Sequence, residues 1–263
     1  MYAFDLKCPA SLDEATAALK AAPGAKLLAG GQTMIPILKF RLASPETVID
    51  LSRVASLRGI SRKDGQLVIG AMTTHATVAE SAEVEAAIPG LAMLAEGIGD
   101  PHVRHLGTIG GSVANNDPVT DYPAAVLALA AMIATNKRNI SADDFFKGLF
   151  GTALAEDEIV TAISFPIPQS FAYAKFANPA SRFALVGVAV ARTVSGPRVA
   201  VTGAGSSGVF RWIAAEQALA TSFAPSAIAA LKLDPSNLMS DIHAAADYRA
   251  HLVGVMARRA VAG

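Results

Sequence analysis

The chain has 263 residues, 52% of them hydrophobic and 17% charged, with 22 basic residues balanced by 22 acidic ones. That length accommodates one large domain or two to three small ones; the apolar content excludes disorder for the bulk of the chain; and zero net charge leaves no global electrostatic reason to expect nucleic acid or an anionic membrane as partner. Aromatic residues make up only 6%, which argues against a base-stacking surface, and the single cysteine, Cys8, excludes an intramolecular disulfide framework and any self-contained Cys-ligated zinc or iron–sulfur site.

Ser11 and Glu14 stand at the spacing of a capping box and predict a helix over Leu12–Ala22, ended by Pro23-Gly24. Lys26–Ala29 reads as a short apolar strand stopped by Gly30-Gly31, Thr33–Phe40 as a helical turn with Pro36 near its start, and Thr47–Leu51 as a second strand. Arg58–Ala71 predicts a hairpin around a Lys63-Asp64-Gly65 turn, and Thr74–Ile98 a helix-rich segment broken at Pro89-Gly90. Leu106–Asn116 reads as a glycine-bearing strand and loop, Tyr122–Thr135 as one buried element, Ser141 as the cap of a turn through Phe146, and Glu158–Phe165 as a strand ended by Pro166. Pro166–Ser170 breaks the pattern and suggests a domain boundary. Beyond it Tyr173–Phe176, Phe183–Thr193 and Arg198–Thr202 predict three strands, and alanine-rich Phe210–Gly263 predicts three helices separated by Pro225 and Pro235.

Met1–Leu12 lacks a basic segment followed by an apolar run, so no secretory leader is expected and the expected location of a soluble protein is the bacterial-type cytoplasm or the inner membrane face. The longest apolar stretch, Tyr122–Ala134, is interrupted by Pro123 and falls short of the roughly 18 residues of a membrane span.

Two glycine loops carry the chemistry that can be read from residue type. Leu27-Leu28-Ala29-Gly30-Gly31-Gln32-Thr33-Met34-Ile35 and Gly107-Thr108-Ile109-Gly110-Gly111-Ser112 each follow strand-like residues and set paired glycines beside a hydroxyl. Without a Cβ in the way, main-chain N–H groups can approach a phosphate closely; ordinary tight turns have the same composition. Neither loop continues into Gly-Lys-Ser/Thr, so neither is a Walker A motif. Gly203-Ala204-Gly205-Ser206-Ser207-Gly208 matches G-x-G-x-x-G after a strand, but no second strand follows, and a plain turn is the better reading. His102 and His105 have metal-pair spacing, but only Asp100 and Asp117 stand nearby as further ligands and Pro101 and Arg104 share the strip, so no metal site is expected. His75, His243 and His251 read as surface or helix-face residues, Glu156-Asp157-Glu158 as a solvated turn, and Asp143-Asp144 as a helix N-terminal pair.

The two glycine loops, together with Phe40-Arg41-Leu42-Ala43-Ser44-Pro45, Ile69-Gly70-Ala71-Met72-Thr73-Thr74, Asp100–Ser112, Asn115–Ala124 and Lys175–Val188, resemble the FAD-binding medium subunit of molybdenum hydroxylases. That family includes the medium subunit of aerobic carbon monoxide dehydrogenase and the flavin domain of xanthine dehydrogenase, and the resemblance runs over nearly the whole chain. It implies an α+β fold: a two-lobed FAD-binding domain of the vanillyl-alcohol oxidase type over residues 1–168, with lobes of about 1–55 and 56–168, then a small C-terminal domain over 169–263 with a three-stranded antiparallel sheet and helices. It implies that Ala29, Gly30, Gly31, Gln32 and Thr33 wrap the FAD pyrophosphate, with Leu27, Leu28, Met34 and Ile35 around it. Thr108, Ile109, Gly110, Gly111 and Ser112 would form the second phosphate and ribityl loop. Ile98 and His102 are expected at the cofactor, Asp121 as its acidic ligand, Val160 at the adenine, Lys175 near the flavin and Tyr173 over the isoalloxazine ring. The resemblance further implies no catalytic residue of the chain's own, a large molybdenum–pterin subunit and a small iron–sulfur subunit as partners, and a dimer of heterotrimers. A self-contained FAD oxidase or dehydrogenase would need its own substrate cavity and base, and a flavin-free scaffold would not need the intact glycines.

Overall fold

In the computed structural model, which describes every residue from Met1 to Gly263, the first lobe is a small parallel sheet with one helix on it. Strands β1 (Asp5–Lys7), β2 (Lys26–Leu28) and β3 (Thr47–Asp50) lie in the order β1-β3-β2, with helices α1 (Leu12–Ala21) and α2 (Met34–Lys39) in the connections. The Ser11 hydroxyl accepts the Glu14 N–H and the Glu14 carboxylate reaches back to the Ala10 N–H at 2.8 Å, so α1 starts where the capping spacing places it. Its Ala15 and Leu19 pack on Ile49, Leu51, Val54 and Leu57, and Met72 and Ile159 of the second lobe complete this core.

The second lobe is built on a five-stranded antiparallel sheet in the order β4-β5-β8-β6-β7, from β4 (Ile60–Lys63), β5 (Gln66–Gly70), β6 (Met132–Thr135), β7 (Asn139–Ser141) and β8 (Val160–Pro166). Asp64 and Gly65, at φ +50° and +72°, form the two-residue turn that joins β4 to β5. Positive φ at both positions matches the right-handed twist of the strands, which is why Asp-Gly suits this hairpin. Helices α3 (His75–Ala79), α4 (Ala82–Ala87), α5 (Pro89–Glu96), α6 (Pro101–Leu106), α7 (Ile109–Asn115), α8 (Tyr122–Ala128) and α9 (Ala142–Phe145) fill the connections.

Two sequence expectations need correction in this lobe. The 106–116 segment is the end of α6 and helix α7 rather than strand and loop: Thr108 caps α7 through its hydroxyl, and Thr73 and Ala71 carbonyls take the Ile109 and Gly110 N–H groups. The stretch 122–135 is two elements, broken after α8 where Ala130 takes a positive φ of 51° before β6 begins. Two side chains expected at the surface are also buried. His75 is 6% exposed, and Glu158 is enclosed by Arg138, the Thr135 hydroxyl and the Ala155 N–H.

The C-terminal segment forms a four-stranded antiparallel sheet, β12-β11-β10-β9, from β9 (Ser170–Ala177), β10 (Ala184–Thr193), β11 (Gly196–Thr202) and β12 (Phe210–Arg211). The short fourth strand was not expected. Only two α-helices follow, α10 (Ile213–Thr221) and α11 (Ala246–Ala262), because Pro225 and Pro235 each open a single 3₁₀ turn instead of punctuating longer helices. The sheet is covered on both faces, and strand alternation sorts the two. Val186, Val188, Val190, Val199 and Val201 point to α10 and α11, with Trp212, Leu252, Val253 and Met256. Ala189, Ala191 and Ala200 point the other way, into the core of the second lobe with Ala124 and Ala125 of α8. Burying each valine contributes about 1.5–3 kcal/mol, and the alanines let α8 approach the sheet closely.

Candidate functional site

Residues of both lobes, together with the 180–183 turn between β9 and β10, line a cleft of about 700 Å³. That volume lies in the range of about 300–1,000 Å³ common for small-molecule and cofactor sites. Part of its wall is apolar, with Leu19, Ala25, Leu27, Leu51, Ile159 and Val160; elsewhere Ile98, Gly99 and Asp100 stand with Ser181, Arg182 and Phe183. A Cβ on Gly99 would lie 2.6 Å from that of Arg182, so these two segments touch.

The first glycine loop lies open on the cleft. None of the N–H groups of residues 30–33 donates to another protein atom, and Gly31, at φ +74°, is buried. Buried backbone donors are almost always paired, so an unpaired N–H at a cleft wall marks a place prepared for an acceptor. Gly30 is obligatory for a different reason: a Cβ there would fall within 2.7 Å of the Leu106 carbonyl carbon and the Gly107 Cα.

The second loop is used differently. Thr73, Ala71 and the Thr108 hydroxyl accept the N–H groups of Ile109, Gly110 and Gly111, at 3.1, 2.9 and 3.2 Å. What remains is the N–H of Thr108, a residue 3% exposed, which has no protein acceptor. A Cβ on Gly110 would lie 2.7 Å from the Ala71 carbonyl oxygen, whereas one on Gly111 would project to within 3.4 Å of the Ala29 Cβ. Gly110 therefore admits Ala71, and Gly111 keeps the gap between the two loops open.

Asp121 lines the cleft at 5% exposure. The Tyr173 hydroxyl donates to it at 2.5 Å, and Lys175 Nζ donates at 3.1 Å while also holding the Gly97 carbonyl at 2.8 Å. Burial pushes the Asp121 carboxyl above the usual aspartate range, while the Lys175 charge and the two donors pull it back. Burial and the neighbouring Asp121 push Tyr173 well above the ordinary tyrosine value, so it remains a protonated donor. Nearby, burial and then the charge of Arg104 lower His75 to about 4, leaving a neutral imidazole at neutral pH. Its ring centroid is 5.3 Å from that of Tyr122, and both His75 Nδ1 and the Tyr122 hydroxyl lack a protein partner.

Of the residues singled out in the sequence, Leu27, Ala29, Gly30, Gly31, Gln32, Thr33, Met34, Ile98, Thr108, Gly110, Gly111, Ser112, Asp121 and Val160 line this one cleft. Six lie outside the lining. Leu28 and Ile35 pack beside Gly31, Ile109 is in the core, the His102 side chain is 96% exposed, and Tyr173 and Lys175 stand behind Asp121. Sequence reasoning missed His75, Asp117 and the Arg182-Phe183 turn as cleft residues. Asp117 and the turn carried a signal, since they fall inside the Asn115–Ala124 and Lys175–Val188 blocks; His75 lies one residue beyond the Ile69–Thr74 block.

Residues 2–168 match the family described as the FAD binding domain in molybdopterin dehydrogenase. The chain belongs to that family. As a molybdenum-hydroxylase medium subunit that binds FAD, it is part of an oxidoreductase. It is 36% identical to the nicotine 6-hydroxylase medium subunit of Paenarthrobacter nicotinovorans, over 96% of this chain and 94% of that protein. It is 35% identical to the carbon monoxide dehydrogenase medium chain of Hydrogenophaga pseudoflava, over 98% and 96%. Among solved structures, reconstituted CO dehydrogenase from Oligotropha carboxidovorans superposes with a TM-score of 0.93 at 33% identity, covering 99% of this chain and 97% of that one. The cleft fits the family's cofactor on its own evidence. Unpaired N–H groups at Gly31 and Thr108 suit a pyrophosphate, the gap at Gly111 would admit one, and the Asp121 carboxylate can accept from an N–H or hydroxyl.

Proposed function

We propose that this chain is the electron-transfer subunit of its complex, taking electrons from iron–sulfur clusters in a small partner subunit, fed by a molybdenum–pterin centre in a large one, and delivering them to an external acceptor. The observation that carries the reading is the unpaired, buried Gly31 N–H facing a cleft of cofactor size. When bound, FAD supplies the redox chemistry. The chain's own residues bind and orient it. The N–H groups of 30–33 and of Thr108 hold the pyrophosphate, Leu27 and Val160 shield the adenine, and Asp121 and Ile98 meet the flavin end.

The single cysteine excludes a Cys-ligated cluster within the chain, so the clusters belong to a partner. The relatives' own names, medium subunit and medium chain, describe one part of larger enzymes. No helix is long and apolar enough to cross a membrane. On this reading residues 1–168 are the FAD-binding domain, residues 169–263 the C-terminal domain, and the assembly is a dimer of heterotrimers. The test is to co-express the chain with its neighbouring subunits, record the absorption spectrum, and follow bleaching of the flavin bands when substrate is added anaerobically. Bleaching that depends on the small subunit is the expected result. A complex that lacks flavin, or flavin reduced equally well without the small subunit, overturns the reading.

A further inference from the structure

Tyr173 and Lys175 do not line the cleft, yet both are aimed at a carboxylate that does, Asp121. Strand alternation places them on the same face of β9. Across the ladder, Gly187 of β10 is paired with Lys175 and Ala189 with Tyr173. A Cβ on Gly187 would collide with the Tyr173 hydroxyl and lie 2.8 Å from its Cζ. The tyrosine therefore holds its place because position 187 has no side chain.

Burying a carboxylate and two donors together is a poor way to stabilise a core, since apolar residues of similar volume generally do as well or better. Beside a cofactor cleft the arrangement has another use. An ionised carboxylate only accepts hydrogen bonds, whereas a protonated one also donates. The charge on Asp121 thus decides whether it can receive an N–H or hydroxyl of the FAD on every approach.

We propose that Tyr173 and Lys175 are positioning residues that act on the cofactor through Asp121, holding its buried carboxylate as a charged acceptor at the cleft wall, and that Gly187 is the gap that admits the Tyr173 ring. The inference rests on the reading that Asp121 faces the FAD. The ionisable groups at the carboxylate are Tyr173 and Lys175 on β9, with Tyr122 on its own helix and His75 of α3 packed on Tyr122; Asp117 ahead of α8, Asp100, Glu156 and Arg182 share the cleft lining with it. Only Tyr173 and Lys175 donate to it.

The experiment is to strip FAD from the assembled complex and titrate it back by flavin fluorescence between about pH 5 and pH 9, for the unmodified protein, Tyr173→Phe, Gly187→Ala and Asp121→Asn. Affinity that needs the charged form falls as pH drops through the Asp121 pKa. Removing a donor raises that pKa, so Tyr173→Phe moves the fall to higher pH by at least about one unit, a tenfold change in proton affinity. Gly187→Ala, which keeps the hydroxyl but displaces it, moves the fall the same way. Asp121→Asn binds FAD more weakly and without this pH dependence. If Asp121→Asn binds FAD as the unmodified protein does at every pH, the underlying reading of Asp121 fails. If Asp121→Asn loses affinity but Tyr173→Phe keeps the original midpoint, the reading stands and the positioning role is overturned. An unshifted midpoint in folded Gly187→Ala overturns the part assigned to Gly187, and should that variant not fold, Tyr173→Phe carries the test alone.

Discussion

Two glycine-bearing loops of this protein have nearly the same local grammar and different surroundings. The loop at Gly30-Gly31 follows strand β2, bends through φ +74°, and leaves the N–H groups of residues 30–33 without a protein acceptor. The segment Gly203–Gly208 follows strand β11 and bends through φ +78° and +96°, but half of its donors are occupied and none of its residues lines the cleft. Gly203 donates to the Pro118 carbonyl at 2.8 Å, Ser206 to Asn237 at 3.0 Å and Gly208 to Gly205 at 3.1 Å, with the Ser206 hydroxyl also on Asn237 at 2.9 Å. Glycine spacing reports the shape of a backbone; unpaired donors along a cleft of cofactor size point to a ligand. The G-x-G-x-x-G of the second segment joins β11 to the rest of the C-terminal sheet and helps dock it on the 117–120 loop.

The comparison can be broken first where it expects no difference. Gly30→Val and Gly203→Val each drive a side chain into packed backbone, at Leu106-Gly107 and at the Ala184 carbonyl respectively. Both are expected to cost about 3 kcal/mol or more in denaturant unfolding, and a Gly30→Val protein of unchanged stability would refute the packing argument. The next effect should separate the two loops. In Gly31→Val the new side chain meets mainly the flexible Ile35 chain. The fold should persist at a strain cost of about 1–3 kcal/mol, while FAD affinity falls at least about tenfold, near 1.4 kcal/mol. An equal loss of FAD affinity from Ser206→Ala would remove the distinction between the loops.

Acid acts on the same cleft, because the strand end that brings Ile159 and Val160 to its wall begins at a buried carboxylate paired with a half-exposed arginine. Hydrogen bonds from Arg138, the Ala155 N–H and the Thr135 hydroxyl hold Glu158 down at about 2 against its ordinary 4.5. A depressed carboxyl contributes stability that is fully present above its unfolded value and lost as pH falls through the folded one. Melting temperature should therefore drop between about pH 4.5 and pH 2, and Glu158→Gln should flatten that segment of the curve. The smallest effect lies in the C-terminal loop. Ser206→Ala removes one exposed hydrogen bond to Asn237 and should cost about 0.5–1.5 kcal/mol or less in unfolding, with FAD titration unchanged.

Much of the chain declares itself over short distances. The Ser11 cap, the Asp64-Gly65 hairpin turn, the alternating strands after Ser170 and the two glycine loops all follow from residues within a few positions of one another, because capping, turn geometry and strand alternation act at that range. What lay beyond that reach was decided by tertiary contact. Helix α7 exists because Ala71 and Thr73, far behind it in the chain, accept its first donors. Pro225 and Pro235 mark only single turns, since the valine face of the sheet is covered by α10 and α11 without a third helix. His75 is buried by Gly107 and Tyr122, and Glu158 by Arg138, so neither is the surface residue its neighbours suggest. Asp121 acquires its two donors from a strand more than fifty residues away. Residue type and spacing determine which backbone shapes and ligand chemistries are available. Burial and the pairing of distant polar groups, which exist only once the chain is folded, decide which donors remain unpaired at the cleft.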